Sequence, residues 1–304
     1  MISDKIWKAI ISVGLLSIAL VLAPAVRVAP AVAAGSYTFT TLDYPGALST
    51  HAYGINNAGQ IVGAYIDRTG TTYGFLYSGG TFTTITLNIP GVTVTNTNAH
   101  GINKSGQIAG DYTGANDAGH GHGFLLSGGT VTTLDYPSAS PNSPGFHTGA
   151  GGINDSTQIV GRYCDPCFFG IAKGFMYSNG SYQMIPAAPG ALPGATDGAG
   201  INNGGQIVGS FETGDGRVHG YLAPSISSSP STWTILDYPG ASGTEAYGLN
   251  NSGQVVGGDN SGTAGAFRGF LYSGGTFTTI DPPGAVYSIA FGINDSSQIV
   301  GFYT

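Results

Sequence analysis

The ten-residue stretch GINNAGQIVG, Gly54 to Gly63, returns as GINKSGQIAG from Gly101, GINDSTQIVG from Gly152, GINNGGQIVG from Gly200, GLNNSGQVVG from Gly248 and GINDSSQIVG from Gly292, at spacings of 44 to 51 residues. A period of this length built only from strand signals points to the blades of a β-propeller. A second hairpin alternates with the first: GFLYSGGTFTTI from Gly74, GFLLSGGTVTTL from Gly123, GFMYSNGSYQMI from Gly174, GFLYSGGTFTTI from Gly269, and a longer-turned relative, GYLAPSISSSPSTWTIL, from Gly220. Each unit therefore carries four short strands rich in β-branched and aromatic residues. The fold expected is all-β, a propeller of six blades.

The turns explain much of the repetition without reference to function. Asparagine at the turn entrance can accept from the backbone two residues on, glycine or another small residue supplies a positive φ, and glutamine resumes the strand. Asn56, Asn103, Asn154, Asn202, Asn250 and Asn294 are accordingly expected to form turns. The glutamines from Gln60 to Gln298 are expected to build a hydrogen-bonded ladder between blades. Glycines inside strands, such as Gly54, Gly63 and Gly74, point to close backbone approach between neighbouring blades.

Strand direction reverses at every turn, so the first and third turns of each unit share one face and the second and fourth share the other. The first and third are short and repetitive. The second and fourth vary in length and content, which gathers all variable loops on one face, the usual place for binding groups on a rigid scaffold.

These motifs resemble the extracellular HAF-repeat family of exported bacterial proteins, whose unit pairs a GIN..GQIVG hairpin with an HAFL strand and a short glycine turn. His122-Gly123-Phe124-Leu125 and His219-Gly220-Tyr221-Leu222 match the second element most closely, while Tyr73, Lys173 and Arg268 stand where the family has histidine. The resemblance implies export and a repeat architecture, and it implies no established activity.

The amino terminus reads as a secretory signal peptide spanning residues 1–34: Lys5 and Lys8, an apolar run from Ala9 to Ala23, and a small-residue cleavage site at Ala31-Val32-Ala33. The propeller then occupies 35–304, with no later membrane span, and the protein is expected to be secreted, extracellular or periplasmic, and monomeric. Losing Lys5, Lys8 and Arg27 against Asp4 takes the formal charge from −7 to about −9. The remaining Lys and Arg are scattered singly, which argues against nucleic acid and anionic lipid as partners. Closure poses a counting problem. There are six first hairpins and five second hairpins, and the orphan strand within GSYTFTTLDYPG, Gly35 to Gly46, is expected to complete the last blade, whose third strand the mature chain lacks.

Candidate functional groups cluster in three sets. His51, Asn98, Asp197 and Glu245 each precede a repeat glycine by three residues and are expected at the mouth of the central channel, as a polar ligand site or, for Asp197 and Glu245, as a catalytic carboxylate pair. Asp67, Asp165, Glu212 and Asp259 fall near corresponding places in the second variable loop, and carboxylates of this kind suit Ca²⁺, although no loop carries a contiguous calcium signature. Tyr44, Tyr136 and Tyr238 sit beside Asp-Tyr-Pro turns and would offer stacking surface to a ligand. The only cysteines, Cys164 and Cys167, read as a local disulfide. The functional reading is a non-enzymatic propeller requiring no cofactor, which binds a glycan, an envelope component or a protein through the variable face. The alternative is a hydrolase or lyase acting on an extracellular polymer through axial carboxylates.

Overall fold

Why do these repeats pack face to face around an axis rather than into a two-sheet sandwich? The answer lies in the glycines and the buried aliphatics that flank them. The computed structural model describes residues 5–11, 37–115, 117, 120–137, 147–164 and 172–304. It is all-β, with six antiparallel blades. Blade 1 is Ser49–Ile55, Ile61–Ile66, Thr72–Ser78 and Thr81–Thr84. Blade 2 is Val94–Ile102, Ile108–Gly114, Gly121–Ser127 and Thr130–Leu134. Blade 3 is His147–Ile153, Ile159–Cys164, Lys173–Ser178 and Ser181–Met184. Blade 4 has a first strand in two pieces, Ala191–Thr196 and Gly200–Ile201, then Ile207–Thr213, Val218–Ala223 and Thr234–Leu236. Blade 5 is Thr244–Leu249, Val255–Asp259, Arg268–Ser273 and Thr276–Ile280.

Blade 6 draws on both ends of the chain. Ser288–Ile293 and Gln298–Tyr303 supply its inner strands, Lys5–Ile11 its third and Tyr37–Leu42 its outer strand. The orphan amino-terminal strand thus takes the outer place, while the third place is filled by a segment that the sequence puts in the signal peptide. The register aligns Ile6 with Phe302, whereas the corresponding third-strand residues of the other blades are Gly74, Gly123, Gly174, Gly220 and Gly269. A Cβ added at any of those glycines would meet neighbouring atoms at 2.7 to 3.2 Å. Lys5–Ile11 is therefore a third strand without the residue its place otherwise holds.

The core lies between blades. Val62 of blade 1 packs with Ile85, Ala99 and Ile102, and the same arrangement recurs around the ring. Full burial of one such side chain is worth ~1.5–3 kcal/mol, and each blade contributes several. The repeat glycines let the blades close up. A Cβ on Gly54 would lie 2.6 Å from the His100 carbonyl of blade 2, and one on Gly292 would lie 2.8 Å from the Tyr53 carbonyl of blade 1, so the approach runs full circle. Gly63 serves a different purpose from the one its pattern suggests. Its close neighbours are the His51 carbonyl and the Phe75 ring of its own blade, because the third-strand aromatic lies directly over it.

The asparagines form the expected turns and also carry the blade-to-blade bonding. In each copy Oδ1 accepts from two turn N–H groups, as at Asn202 from Gly204 and Gln206, both at 3.0 Å. The Nδ2 group then donates to the backbone carbonyl of the next asparagine. Six such bonds, all 3.1 Å, run from Asn56 to Asn103, Asn154, Asn202, Asn250, Asn294 and back to Asn56. The glutamines do not form the ladder expected of them. Each accepts from its own asparagine and so orients it, at 2.7 to 3.0 Å. Among the described residues only Gln107 and Gln254 reach another blade, accepting from Thr157 and Ser297. Those two donors occupy the positive-φ turn position that glycine fills in the other copies. A second, outer ring joins Lys104, Asp155, Asn203, Asn251, Asp295 and Asn57 through five bonds of 2.9 Å. The sixth link would need a side-chain oxygen at position 104, and lysine has none.

Candidate functional site: an axial cup

The innermost strands do not alternate cleanly up to the repeat glycine. A register shift interrupts the pairing between Ala52 and Gly54, Ala99 and Gly101, Ala150 and Ile153, Ala246 and Gly248, and Ala290 and Gly292. A β-bulge of this kind re-aims the extra residue. Here the bulge residues Tyr53, His100, Gly151, Tyr247 and Phe291, with Ala199 in blade 4, line a cavity of about 400 Å³ on the propeller axis. A smaller cavity on the short-turn side is lined by the asparagine ring. Ile55, Ile102, Ile153, Ile201, Leu249 and Ile293 border both, forming an aliphatic girdle between them. The larger cavity lies on the variable-loop side of that girdle and forms a cup with an aliphatic floor.

The cup has two unlike halves. Blades 5, 6, 1 and 2 contribute a continuous aromatic wall: Tyr247 to Phe291 at 4.9 Å, Phe291 to Tyr53 at 5.1 Å and Tyr53 to His100 at 4.9 Å between ring centroids. Across from it the bulge positions shrink to Gly151 and Ala199. The space so opened exposes second-strand residues, Asp111, Arg162 and Ser210, together with His147, Asp197 and Glu245.

Each carboxylate of the cup is already engaged. Asp111 accepts from Asn98 at 2.9 Å and pairs with His100 Nε2 at 2.6 Å. Asp197 accepts from the Ser210 backbone N–H at 2.7 Å and from its hydroxyl at 3.2 Å. Glu245 accepts a short hydrogen bond from the Tyr247 hydroxyl. Burial opposes ionisation of Asp111, but the charge and hydrogen bond of His100, the Asn98 amide and the His147 charge outweigh it and hold the carboxyl below its ordinary value. Burial dominates at Asp197 and raises it, against the Ser210 hydrogen bonds and the Arg162 charge. Burial likewise lowers His147, opposed by Asp111 and reinforced by Arg162, which favours its neutral form. The Arg162 guanidinium makes no hydrogen bond or ion pair with the described residues, and Gly149 stands opposite Arg162 in register.

The opposed shifts give opposite pH behaviour. A lowered Asp111 contributes stability that is present above the ordinary carboxyl value of 3.8 and lost as pH falls through its folded value. A raised Asp197 contributes stability that is present below 3.8 and lost as pH rises through its folded value. Thermal melts at pH 7 should therefore place Asp111→Asn a few degrees below wild type and Asp197→Asn level with it or above, with both differences shrinking at pH 3. Equal destabilisation by the two substitutions at pH 7 would refute this assignment.

The structure sorts the sequence candidates. Asp197 and Glu245 line the cup as expected. Asn98 stands behind it, orienting Asp111, and His51 stacks on Phe302 at 4.5 Å instead of reaching the cavity. Tyr44, Tyr136 and Tyr238 are not open platforms. Tyr44 stacks on Tyr65 at 3.6 Å, Tyr136 stacks on Tyr163 at 3.9 Å, and Tyr238 packs on Phe277 while bonding Thr279. Asp67, Glu212 and Asp259 belong to blades 1, 4 and 5 and are not brought together. Asp67 accepts from Thr69 and Thr71 within its own turn, and Asp259 is buried and accepts from the Ser261 N–H at 2.9 Å, while Arg268, opposite it in register, pairs with Asp281 at 3.4 Å. No group of three or more His, Cys, Asp or Glu suited to a metal occurs among the described residues. Cys164 is disulfide-bonded, and Cys167 and Asp165 lie outside the described residues. No helix among the described residues is long and apolar enough to cross a membrane.

Sequence reasoning missed Tyr53, His100, Tyr247 and Phe291, and also Asp111, Arg162 and Ser210. Their signal was present: the residue before the repeat glycine and the residue after the QIVG glycine both change from copy to copy while their neighbours hold.

Fold and cavity together define a six-bladed β-propeller with a bipartite axial cup. Several solved structures share this fold. AofleA from Arthrobotrys oligospora matches with a TM-score of 0.51 at 15% identity, over 82% of this chain and 78% of that one. The fucose-specific lectin from Aleuria aurantia matches with a TM-score of 0.50 at 13% identity, over 84% and 88%. A mutant of the Aleuria lectin in complex with Fucalpha1-6GlcNAc gives 0.50 at 14% identity, over 83% and 88%. At these identities the likeness establishes the propeller fold. No protein-family model and no curated protein matches the chain, so the HAF resemblance rests on the repeat motifs alone.

Proposed function

We propose that the protein is an exported, non-enzymatic glycan-binding propeller whose ligand enters the axial cup from the variable-loop face. The observation that carries this reading is the facing of an aromatic wall, Tyr247 to Phe291 to Tyr53, by a wall of planar polar groups. A sugar ring has an apolar C–H face and an equator of hydroxyls. Aromatic rings bury the first, and carboxylate, guanidinium and hydroxyl groups bond the second. A fold shared with fucose-binding lectins makes this a role that the scaffold can hold. Export rests on the amino-terminal sequence. The absence of the third-strand glycine from Lys5–Ile11 supports the view that this segment is dispensable to the ring.

A glycan-array screen of the purified protein, with calcium and again with chelator, tests the proposal. Binding to a defined glycan class is expected, and Phe291→Ala should weaken it at least tenfold. Binding that Phe291→Ala leaves intact would move the site off the axis to the loops, and the absence of any glycan binding would point to an envelope component or protein partner. The opposed shifts of Asp111 and Asp197 favour a second reading, hydrolysis of an extracellular polymer, since a split pair of carboxyl groups is how acid and base roles are divided. That reading requires released product in the same incubations, lost in Asp197→Asn while binding persists.

A further inference from the structure

The cup holds one permanent cation among its described lining residues, Arg162, and its guanidinium makes no hydrogen bond or ion pair with the described residues. Asp111 has Asn98 and His100, Asp197 has both donors of Ser210, and Glu245 has the Tyr247 hydroxyl. His147, lowered by burial, favours its neutral form. Arg162 alone brings unused capacity, a planar fork of N–H donors, and the chain is cut back around it. Gly149 faces it across the sheet and Gly151 occupies the bulge beside it, where four of the other five blades place an aromatic or imidazole ring. A guanidinium that shares a cavity with three carboxylates and pairs with none is free to take an anionic acceptor from outside. A carboxylate matches its geometry with two parallel hydrogen bonds, which a neutral hydroxyl cannot do.

Resting on the glycan-binding reading above, we propose that the cup selects an acidic sugar, with the ligand carboxylate held by Arg162 and the pyranose ring against the Tyr247, Phe291 and Tyr53 wall. The ring hydroxyls then fall to groups that can accept or donate on the polar side, Glu245 and Ser210 among them. Blade 3 supplies the charge and blades 5, 6 and 1 supply the apolar face, so the two recognition elements lie across the cup from one another.

The test uses calorimetric or NMR titration of the full purified chain with four probes: methyl glucuronoside, its methyl ester, methyl glucoside and cyclohexanecarboxylate. Binding of the glucuronoside at least tenfold tighter than its ester and the glucoside is expected. Arg162→Met should erase that preference, and Arg162→Lys should restore it only in part, because an ammonium cannot make the paired contact. Phe291→Ala should weaken glucuronoside and glucoside alike. Equal binding of acid and ester, or an acid preference that survives in Arg162→Met, overturns the Arg162 assignment while leaving a glycan-binding cup in place. Cyclohexanecarboxylate binding as tightly as the glucuronoside overturns the sugar assignment and identifies a general carboxylate site. Indifference of all four probes to Phe291→Ala overturns the axial cup itself.

Discussion

Asn202→Ala should destabilise the protein by ~2–4 kcal/mol, as measured by urea unfolding at unchanged slope. The side chain is buried and holds four bonds at once. Its Oδ1 accepts from the Gly204 and Gln206 N–H groups, and its Nδ2 donates to Gln206 Oε1 at 2.7 Å and to the Asn250 carbonyl of the next blade at 3.1 Å. Truncation leaves two turn donors, a carbonyl and an amide oxygen to find water in a closely packed place. Each buried group so abandoned costs ~1–3 kcal/mol, partly offset by local relaxation. Asn203→Ala, in the same turn but exposed, keeps its own N–H bond to Asn251 and loses only the side-chain bonds with Asp155, one of them a link of the outer ring, and should cost well under half as much. Should the two substitutions prove equal, the inner ring does not hold the blades together and the turn alone explains the repeated asparagine.

Gly257→Ala is expected to be worse still, costing more than 3 kcal/mol or preventing folding. An added Cβ would stand 2.0 Å from the Glu245 carbonyl and 2.6 to 2.7 Å from the Phe270 ring. Overpacking a well-filled core commonly costs ~1–3 kcal/mol when side chains can shift. Here one obstacle is backbone of the adjacent strand, so shortening Phe270 in a double variant should recover only part of the loss. Gly204→Ala supplies the contrast, since its φ is not positive and the other five copies carry alanine, at Ala58, or serine, at Ser105, Ser156, Ser252 and Ser296, at that turn position. Soluble expression and melting temperature distinguish the two variants directly. A Gly257→Ala protein as stable as Gly204→Ala would mean that the second-strand glycines are not required by close packing.

The blades were legible because turn chemistry is local. An Asn-x-x-Gly-Gln segment, with Thr157 and Ser297 in the glycine place of two copies, declares its hairpin wherever it occurs, and six copies at a regular period leave few architectures open. The inter-blade role of the asparagines was not legible. Turn formation uses the side-chain oxygen and ring formation uses the nitrogen of the same amide, and only the first use has a local partner. The cup was half legible for a similar reason. Counting back three residues from the repeat glycine finds Asp197 and Glu245, but the bulge at the preceding residue breaks strand alternation, and no motif announces it. Arg162 reaches the axis because Gly149 lies opposite on another strand, a pairing that exists only once the sheet has formed. The third strand of blade 6 was out of reach because Lys5–Ile11 shares no motif with the other third strands.

The aliphatic girdle of Ile55, Ile102, Ile153, Ile201, Leu249 and Ile293 has a topological consequence. A through-channel could be threaded, and a threaded polymer could be gripped anywhere along its length. A cup whose base is a ring of aliphatic side chains, set between it and the asparagine-lined cavity, gives a polar ligand its doorway on the variable-loop face. A linear polymer can then present only a terminus or a short side branch to the axial residues, so the number of sites it offers grows with how many chains or branches there are and not with how long they run. Cutting a polymer into shorter pieces would multiply its docking points, whereas lengthening it would add none.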